Sequence, residues 1–526
     1  MSKVYLYDTT LRDGAQSEGI SFSVVDKLHI TRKLDELGIH YIEGGWPGSN
    51  PKDAEFLEKA AHLKLKNARL AVFGSTRRVG IRTENDSNLT MLVKTGAKIA
   101  TIVAKSSSAQ VSQVLNTTPE ENLSMIADSV RYLKTNGMIV FVDAEHFFDG
   151  FKADPDYSLR TLAVAAEAGA ECLVLCDTNG GALVEDVTEA VTAATRATTV
   201  PLGIHVHNDG GLAVANSLAA VRAGVIQVQA TINGYGERCG NANLCTIIPN
   251  LKLKLGIECI SNENLAKLTN VSRLISELAN LPHDEKQPYV GRSAFAHKAG
   301  LHADAVQKNP LSYEHALPES VGNERRILVS DQAGKSTILA RLNHEYPDLK
   351  KDSPEVMKIF DMLKDSEMDG YQYEDAEASF ELMIQRAMGT YKDSFELKGF
   401  TVLVERSEKH EMRSQATIKL MDKDGNIEYQ ASEGHGPVDA LSKALKKALI
   451  AFFPQLESVH LTDFKVRVLD AKSGTAAKVR VLIESGDSGE NWGTVGVSED
   501  IIEASWEALV DSIEYKLLRD KKRNGF

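Results

Sequence analysis

Over the first 260 residues, short runs rich in β-branched residues alternate with longer stretches whose apolar positions recur every three to four residues. The short runs fall at residues 4–9, 41–45, 69–74, 99–104, 138–144, 172–177, 202–206 and 225–232. The stretches between them, among them 24–37, 119–135, 157–168, 185–197 and 212–223, carry the helical period. Such alternation is how a parallel sheet with crossover helices reads. Gly38, Gly137, Gly169 and Gly224 stand where a left-handed cap would end a helix shortly before the next strand. Eight units of this kind, with no glycine-rich nucleotide turn after the first strand, predict an α/β fold: a closed (β/α)8 TIM barrel.

Beyond residue 260 the pattern changes. Helical periods dominate at 263–279, 354–366 and 375–388, and a loop-like stretch at 289–309 carries His297 and His302. From residue 395 strands return in threes. Runs at 400–404, 414–421 and 428–431 precede a helical stretch at 438–453, and runs at 462–470, 477–485 and 492–497 precede another at 500–518. Asp424-Gly425 and residues 486–489 supply turns at matching places in the two copies. The chain therefore divides into a barrel at 1–260, a helical linker subdomain at 261–394 and a C-terminal α+β domain of tandem βββα units at 395–526.

Charge and composition narrow the possible functions. A net charge of −13, without a Lys/Arg run, argues against a nucleic-acid partner. Apolar runs break well before the roughly 18 residues that a membrane span needs, and residues 1–11 lack the apolar centre of a signal peptide. A cytoplasmic protein without a membrane partner is expected. The five cysteines are odd in number and lack C-x-x-C spacing, so neither disulfides nor a structural zinc site is expected.

In a barrel of this type reacting groups come from the C-terminal ends of the strands. The first strand ends in Asp8-Thr9-Thr10-Leu11-Arg12-Asp13-Gly14-Ala15-Gln16, which sets a cation beside a carboxylate at the barrel mouth. The seventh ends in His205-Val206-His207-Asn208-Asp209. Two histidines at i and i+2 on a strand share one face, so they can grip one metal ion or form a hydrogen-bonded pair in a polar mouth. Asp13 can add an oxygen ligand. The loop after the eighth strand, residues 233–243, is rich in glycine and amides and also suits a plain turn.

Taken in order, D-T-T-L-R-D-G-x-Q at 8–16, H-x-H-N-D at 205–209 and G-E-R-x-G-N-A at 236–242 resemble the alpha-isopropylmalate synthase and homocitrate synthase family of the DRE-TIM metallolyase superfamily. The likeness continues through G-R-S-A-F-A-H-K-A-G-L-H-A-D at 291–304 and into the C-terminal domain. It implies an acyltransferase that condenses acetyl-CoA with a 2-oxo acid and then hydrolyses the thioester. It further implies Asp13, His205, His207 and Asn241 as ligands of a divalent metal, whether Zn, Mn, Mg or Co. By the same resemblance Arg12 polarises the substrate carbonyl, Glu145 faces the thioester as base or base-orienting group, and Thr178 binds the oxo-acid carboxylate. His302, with Tyr313, is implied to reach the active site of a partner subunit, which makes the enzyme a homodimer with shared sites.

Within the family, residues 41–53 resemble the branch whose oxo acid is pyruvate, which leads to citramalate and isoleucine. The C-terminal repeat, including Gly434-His435-Gly436-Pro437, resembles the LeuA-type regulatory domain, with isoleucine as the implied effector. Three alternatives remain open: a 2-isopropylmalate synthase using 2-oxoisovalerate, a metal-dependent lyase of the HMG-CoA lyase kind, and a non-catalytic amino-acid sensor.

Overall fold

The computed structural model describes residues 3–298, 302, 305, 306, 308–328, 338, 339, 342, 348–350, 352–407, 410–469 and 477–523. Within them the predicted barrel is present. The parallel strands β1 (Tyr5–Asp8), β2 (Tyr41–Glu43), β3 (Arg69–Ser75), β4 (Ile99–Lys105), β5 (Ile139–Glu145), β6 (Cys172–Asp177), β7 (Leu202–Val206) and β8 (Gln227–Ala230) pair in sequence order. The ring closes where Leu6 meets Val228 and Asp8 meets Ala230.

Side-chain alternation on these strands builds two apolar layers. Tyr7, Ala71, Ile99, Phe141, Cys172, Val174 and Cys176 fill the barrel interior. Their neighbours, such as Leu6, Ile42, Val72, Val140 and Leu173, face the outer helices in a separate, larger core. The helices begin and end on local signals. The first, Val24–Leu37, opens on a capping box in which Asp26 N–H donates to Ser23 Oγ (3.2 Å) and Ser23 N–H donates to the Asp26 carboxylate (2.8 Å). It closes on Gly38 at φ +92°, and Gly137, Gly169 and Gly224 adopt the same left-handed hand.

The structure adds helices that the periodicity did not reveal: Pro51–Ala60, Ser87–Lys94, Ser108–Gln113 and Phe147–Ala153. Each has at most ten residues, too few turns for a period to accumulate, and two of them start on side-chain caps. Lys52 N–H donates to Asn50 Oδ1, and Asn88 and Leu89 N–H both donate to Asp86 Oδ1. The helical stretch 263–279 is two helices, Asn262–Leu265 and Leu268–Leu278. The five cysteines are free; four are buried and Cys239 is exposed.

The chain separates into two compact units. One comprises Met1–Phe295 and Glu314–Arg325, the other Ala296–Tyr313 and Arg326–Phe526. In the second unit the tandem βββα pattern is present, with longer strands than expected in the first copy. Strands Phe395–Ser407, His410–Asp422 and Ile427–Gly434 form one antiparallel sheet followed by helix Pro437–Phe452. Strands His460–Val468, Val479–Gly486 and Asn491–Ser498 form another, followed by helix Ile501–Arg523. Ala416, Ile418 and Leu420 pack with Leu441, Leu445 and Leu449, and Val481 and Ile483 with Ala504, Ala508 and Leu509. Parts of two sequence-based assignments, 299–301 and 303–304 in the 291–304 motif and residue 470 in the 462–470 strand, lie outside the described residues.

Candidate active site

The turn after β1 carries Arg12 and Asp13, and β7 carries His205 with His207 one residue beyond its end. Because His205 and His207 share the inner face, both imidazoles turn toward Asp13. Asp13 Oδ2 lies 3.3 Å from His205 Nε2 and 3.8 Å from His207 Nε2, and the two Nε2 atoms are 3.3 Å apart. All three side chains are buried, and one ligand atom from each falls within 4.8 Å of the others. Asn241 joins from the loop after β8, through a backbone bridge to His207. Its Nδ2 donates to the Tyr235 carbonyl (3.1 Å), whereas its buried Oδ1 has no hydrogen-bond partner.

An unsatisfied amide oxygen and two imidazole nitrogens aimed at one carboxylate are what a cation site would leave behind, since buried polar atoms otherwise find partners. The donor set of one carboxylate, two imidazoles and one amide oxygen fits a divalent metal. The charge states of Asp13 and His207 agree with that fit. Burial alone would raise the Asp13 carboxyl, but Arg12 and His205 together hold it well below the usual carboxylate range. Burial, with His205 beside it, pushes His207 down to about 4, so it is a neutral imidazole at pH 7. At His205 burial also opposes the charge, yet the hydrogen bond and charge of Asp13 outweigh it and the net shift is upward.

Arg12 is fixed on three sides. Its Nε donates to Glu43 Oε1 (2.5 Å), its Nη1 lies 3.5 Å from Asp13 Oδ2, and its guanidinium carbon stands 3.9 Å from the Phe73 ring centre. Glu43, at the end of β2, is fully buried and also accepts from Tyr7 OH (2.6 Å) and Thr9 Oγ1 (2.7 Å). The sequence places Glu43 in the second strand but gives it no role. A lone inward carboxylate on a short strand gives no signal until its partners are known. Trp46, from the same segment, packs edge-on to Phe73 with centroids 5.4 Å apart, and its indole N–H donates to Asn88 Oδ1 (2.7 Å).

The other expected residues occupy the same mouth or the second unit. Glu145 ends β5 and forms an ion pair with Lys105 of β4, a partner the sequence did not indicate. Thr178 follows β6, and its Oγ1 accepts from His146 N–H (2.8 Å), which leaves the hydroxyl hydrogen free to donate. Arg238 ties three loops together: it donates to both Asp209 carboxylate oxygens (2.8 and 3.0 Å) and to the Thr178 carbonyl (2.8 Å). His302 and Tyr313 are exposed residues of the second unit and stack on each other, with ring centroids 4.2 Å apart. Deeper in the barrel, Asp143 of β5 and Gln229 of β8 form a further buried polar pair that the sequence gave no reason to select.

Comparison with known proteins agrees with this geometry. Residues 3–275 match the HMGL-like family, 289–370 the homocitrate synthase post-HMGL domain-like family, and 374–517 the LeuA allosteric (dimerisation) domain. An (R)-citramalate synthase of Geobacter sulfurreducens is 53% identical over 526 residues, covering 100% of this chain and 99% of that protein. One from Aquifex aeolicus is 51% identical, covering 99% of each. A 2-isopropylmalate synthase of Methanocaldococcus jannaschii is more distant, at 32% identity over 99% of this chain and 96% of its own length. Among the described residues no helix is long and apolar enough to cross a membrane. The chain belongs to the citramalate synthase family, with an HMGL-like barrel followed by a LeuA-type allosteric domain.

Proposed function

We propose that the enzyme condenses acetyl-CoA with pyruvate and hydrolyses the resulting thioester, giving (R)-citramalate and CoA. The observation that carries this reading is Arg12, locked by Glu43 and Phe73 beside the buried cluster of Asp13, His205 and His207. We assign these three residues and Asn241 as the ligands of a divalent metal. When bound, such a cation supplies Lewis-acid polarisation of an oxo-acid carbonyl.

The rest of the chemistry falls to the chain itself. Arg12 is a fixed positive charge that needs no reorganisation as negative charge develops on the ketone oxygen. Thr178, with its hydroxyl hydrogen free, donates to the oxo-acid carboxylate. Glu145 faces the acetyl methyl as the base, or as the group that orients it. A methyl proton leaves, the carbanion forms a bond to the ketone carbon, the oxygen is protonated, and water then cleaves the C–S bond.

His302 and Tyr313 act on a second copy's site in a homodimer. Their exposure and mutual stacking support this, as do exposed Leu403, Ile427 and Tyr429 on the first C-terminal sheet. Isoleucine is the effector of the C-terminal domain, and the cytoplasm is the location. The test is CoA release from acetyl-CoA and pyruvate before and after metal removal by a chelator. Activity is expected to vanish on removal, return with a divalent cation, and fall when isoleucine is added. Full activity in protein verified to be metal-free would refute the assigned chemistry, and indifference to isoleucine would refute the effector.

A further inference from the structure

Beneath the cluster, a short polar chain crosses the barrel interior from β5 to β7. Gln229 of β8 is the register partner of His205 on β7, and both point inward. Gln229 Nε2 donates to Asp143 Oδ1 (3.0 Å), and Gln229 Oε1 lies 3.1 Å from His205 Nδ1. Asp143, Gln229 and His205 are 4%, 1% and 5% exposed, so water does not compete for these contacts.

A side-chain amide has one end that only donates and one that only accepts. With its NH2 group on the Asp143 carboxyl, Gln229 presents its oxygen to His205, and that oxygen needs a proton on Nδ1. In the neutral imidazole that metal ligation requires, the lone pair of His205 is then on Nε2, the atom 3.3 Å from both Asp13 Oδ2 and His207 Nε2. Turning the amide over would set its oxygen against the Asp143 carboxyl and its NH2 against Nδ1, moving the imidazole proton onto Nε2. Asp143 in its ionised form therefore sets the direction of the amide, and the amide sets the tautomer. His207 lacks this support, because its buried Nδ1 has no hydrogen-bond partner.

We propose that Asp143 and Gln229 are positioning residues that hold His205 as the Nδ1–H tautomer, which makes it the preorganised ligand of the cluster. The inference rests on the assignment of Asp13, His205 and His207 as metal ligands. A partner on the far nitrogen of a metal-binding imidazole fixes its orientation, and loss of such a partner weakens metal affinity by about tenfold to a hundredfold.

The test is calorimetric titration of metal-depleted protein with Co2+, alongside the Co2+ absorption band and the histidine 15N shifts of the metal-free protein. Gln229→Met, which keeps the bulk and removes the acceptor, is expected to weaken Co2+ binding by about tenfold to a hundredfold, with the His205 tautomer no longer held as Nδ1–H. Asp143→Leu, which removes the acceptor for the amide NH2 at similar bulk, is expected to weaken it as well. The double variant Asp143→Asn/Gln229→Glu is expected to restore it, because the introduced amide donates to the introduced carboxylate, which accepts from His205 Nδ1. This pair decides the matter even if Gln229→Met does not fold. Wild-type Co2+ affinity in Gln229→Met or Asp143→Leu, with binding lost in His205→Ala, would overturn the relay and leave the ligand assignment standing. Wild-type binding in His205→Ala would overturn both.

Discussion

Arg12 illustrates how one residue gains a function from its surroundings. Burial works against its charge, but Glu43 and Asp13 outweigh that and hold the guanidinium protonated above its ordinary value. Glu43→Gln keeps the shape and removes the charge that anchors Arg12 Nε. Removing a stabilising donor outright typically lowers kcat a hundredfold or more, so loosening Arg12 is predicted to lower it by at least about tenfold. Steady-state kinetics, with a thermal midpoint to check folding, measures this; unchanged kcat would show that Arg12 does not depend on Glu43. A second residue links protonation to the fold rather than to chemistry. His40 accepts a hydrogen bond from Leu6 N–H at Nδ1 (3.1 Å), and burial, then Lys3, lowers its pKa to about 4. The depressed value means that His40 adds stability above its ordinary pKa of 6.5 and that this is lost as pH falls toward 4. Urea midpoints at pH 7 and pH 4.5 are predicted to fall further in the wild type than in His40→Gln, whose amide oxygen accepts the same bond without protonating. Equal falls would assign the loss to other groups.

Among the elements, the loop after β8 bears most directly on the site. Asn241 N–H donates to the Gly234 carbonyl (3.0 Å) and Asn208 N–H to the Gly240 carbonyl (2.9 Å), so this loop locks onto the one after β7. Gly240 sits at φ +86°, and a Cβ there would collide with the Gly234 carbonyl oxygen. Gly240→Ala therefore adds backbone strain of about 1–3 kcal/mol and displaces Asn241. It is predicted to lower both the thermal midpoint and the amount of bound metal; normal metal content would separate Asn241 from the site. Elements were legible from sequence to differing degrees. The eight barrel strands stood out because burial on both sides makes short apolar runs between long helices. The helices at 51–60 and 87–94 did not, because their starts depend on Asn50 and Asp86 as caps rather than on a period. Arg12, Asp13, His205 and His207 were legible because strand-end position and alternation put them on one face. Glu43, Asp143 and Gln229 were not, because an inward polar residue gains its meaning from partners 24 to 86 positions away.

On the scale of the whole molecule, each unit carries its own apolar cores, and the residues proposed for the chemistry divide between the two. Asp13, His205, His207 and Arg12 belong to the barrel unit, whereas His302 and Tyr313 belong to the unit that contains the C-terminal domain. The proposed homodimer, in which one copy completes another's site, would give that division a purpose. Choice of oxo acid is a smaller effect, since one methylene more or less in an apolar pocket discriminates by only about 1–3 kcal/mol. The segment that contains Trp46 packs on Phe73, and Phe73 packs on Arg12, so the wall nearest Arg12 is built from two large rings. The most direct test is the rate of CoA release from acetyl-CoA with pyruvate, 2-oxoisovalerate or 2-oxoglutarate supplied in turn to the metal-loaded enzyme. The highest kcat/KM is expected with pyruvate, with citramalate as the product; a higher kcat/KM with 2-oxoisovalerate, or no CoA release with pyruvate, would contradict the proposed function.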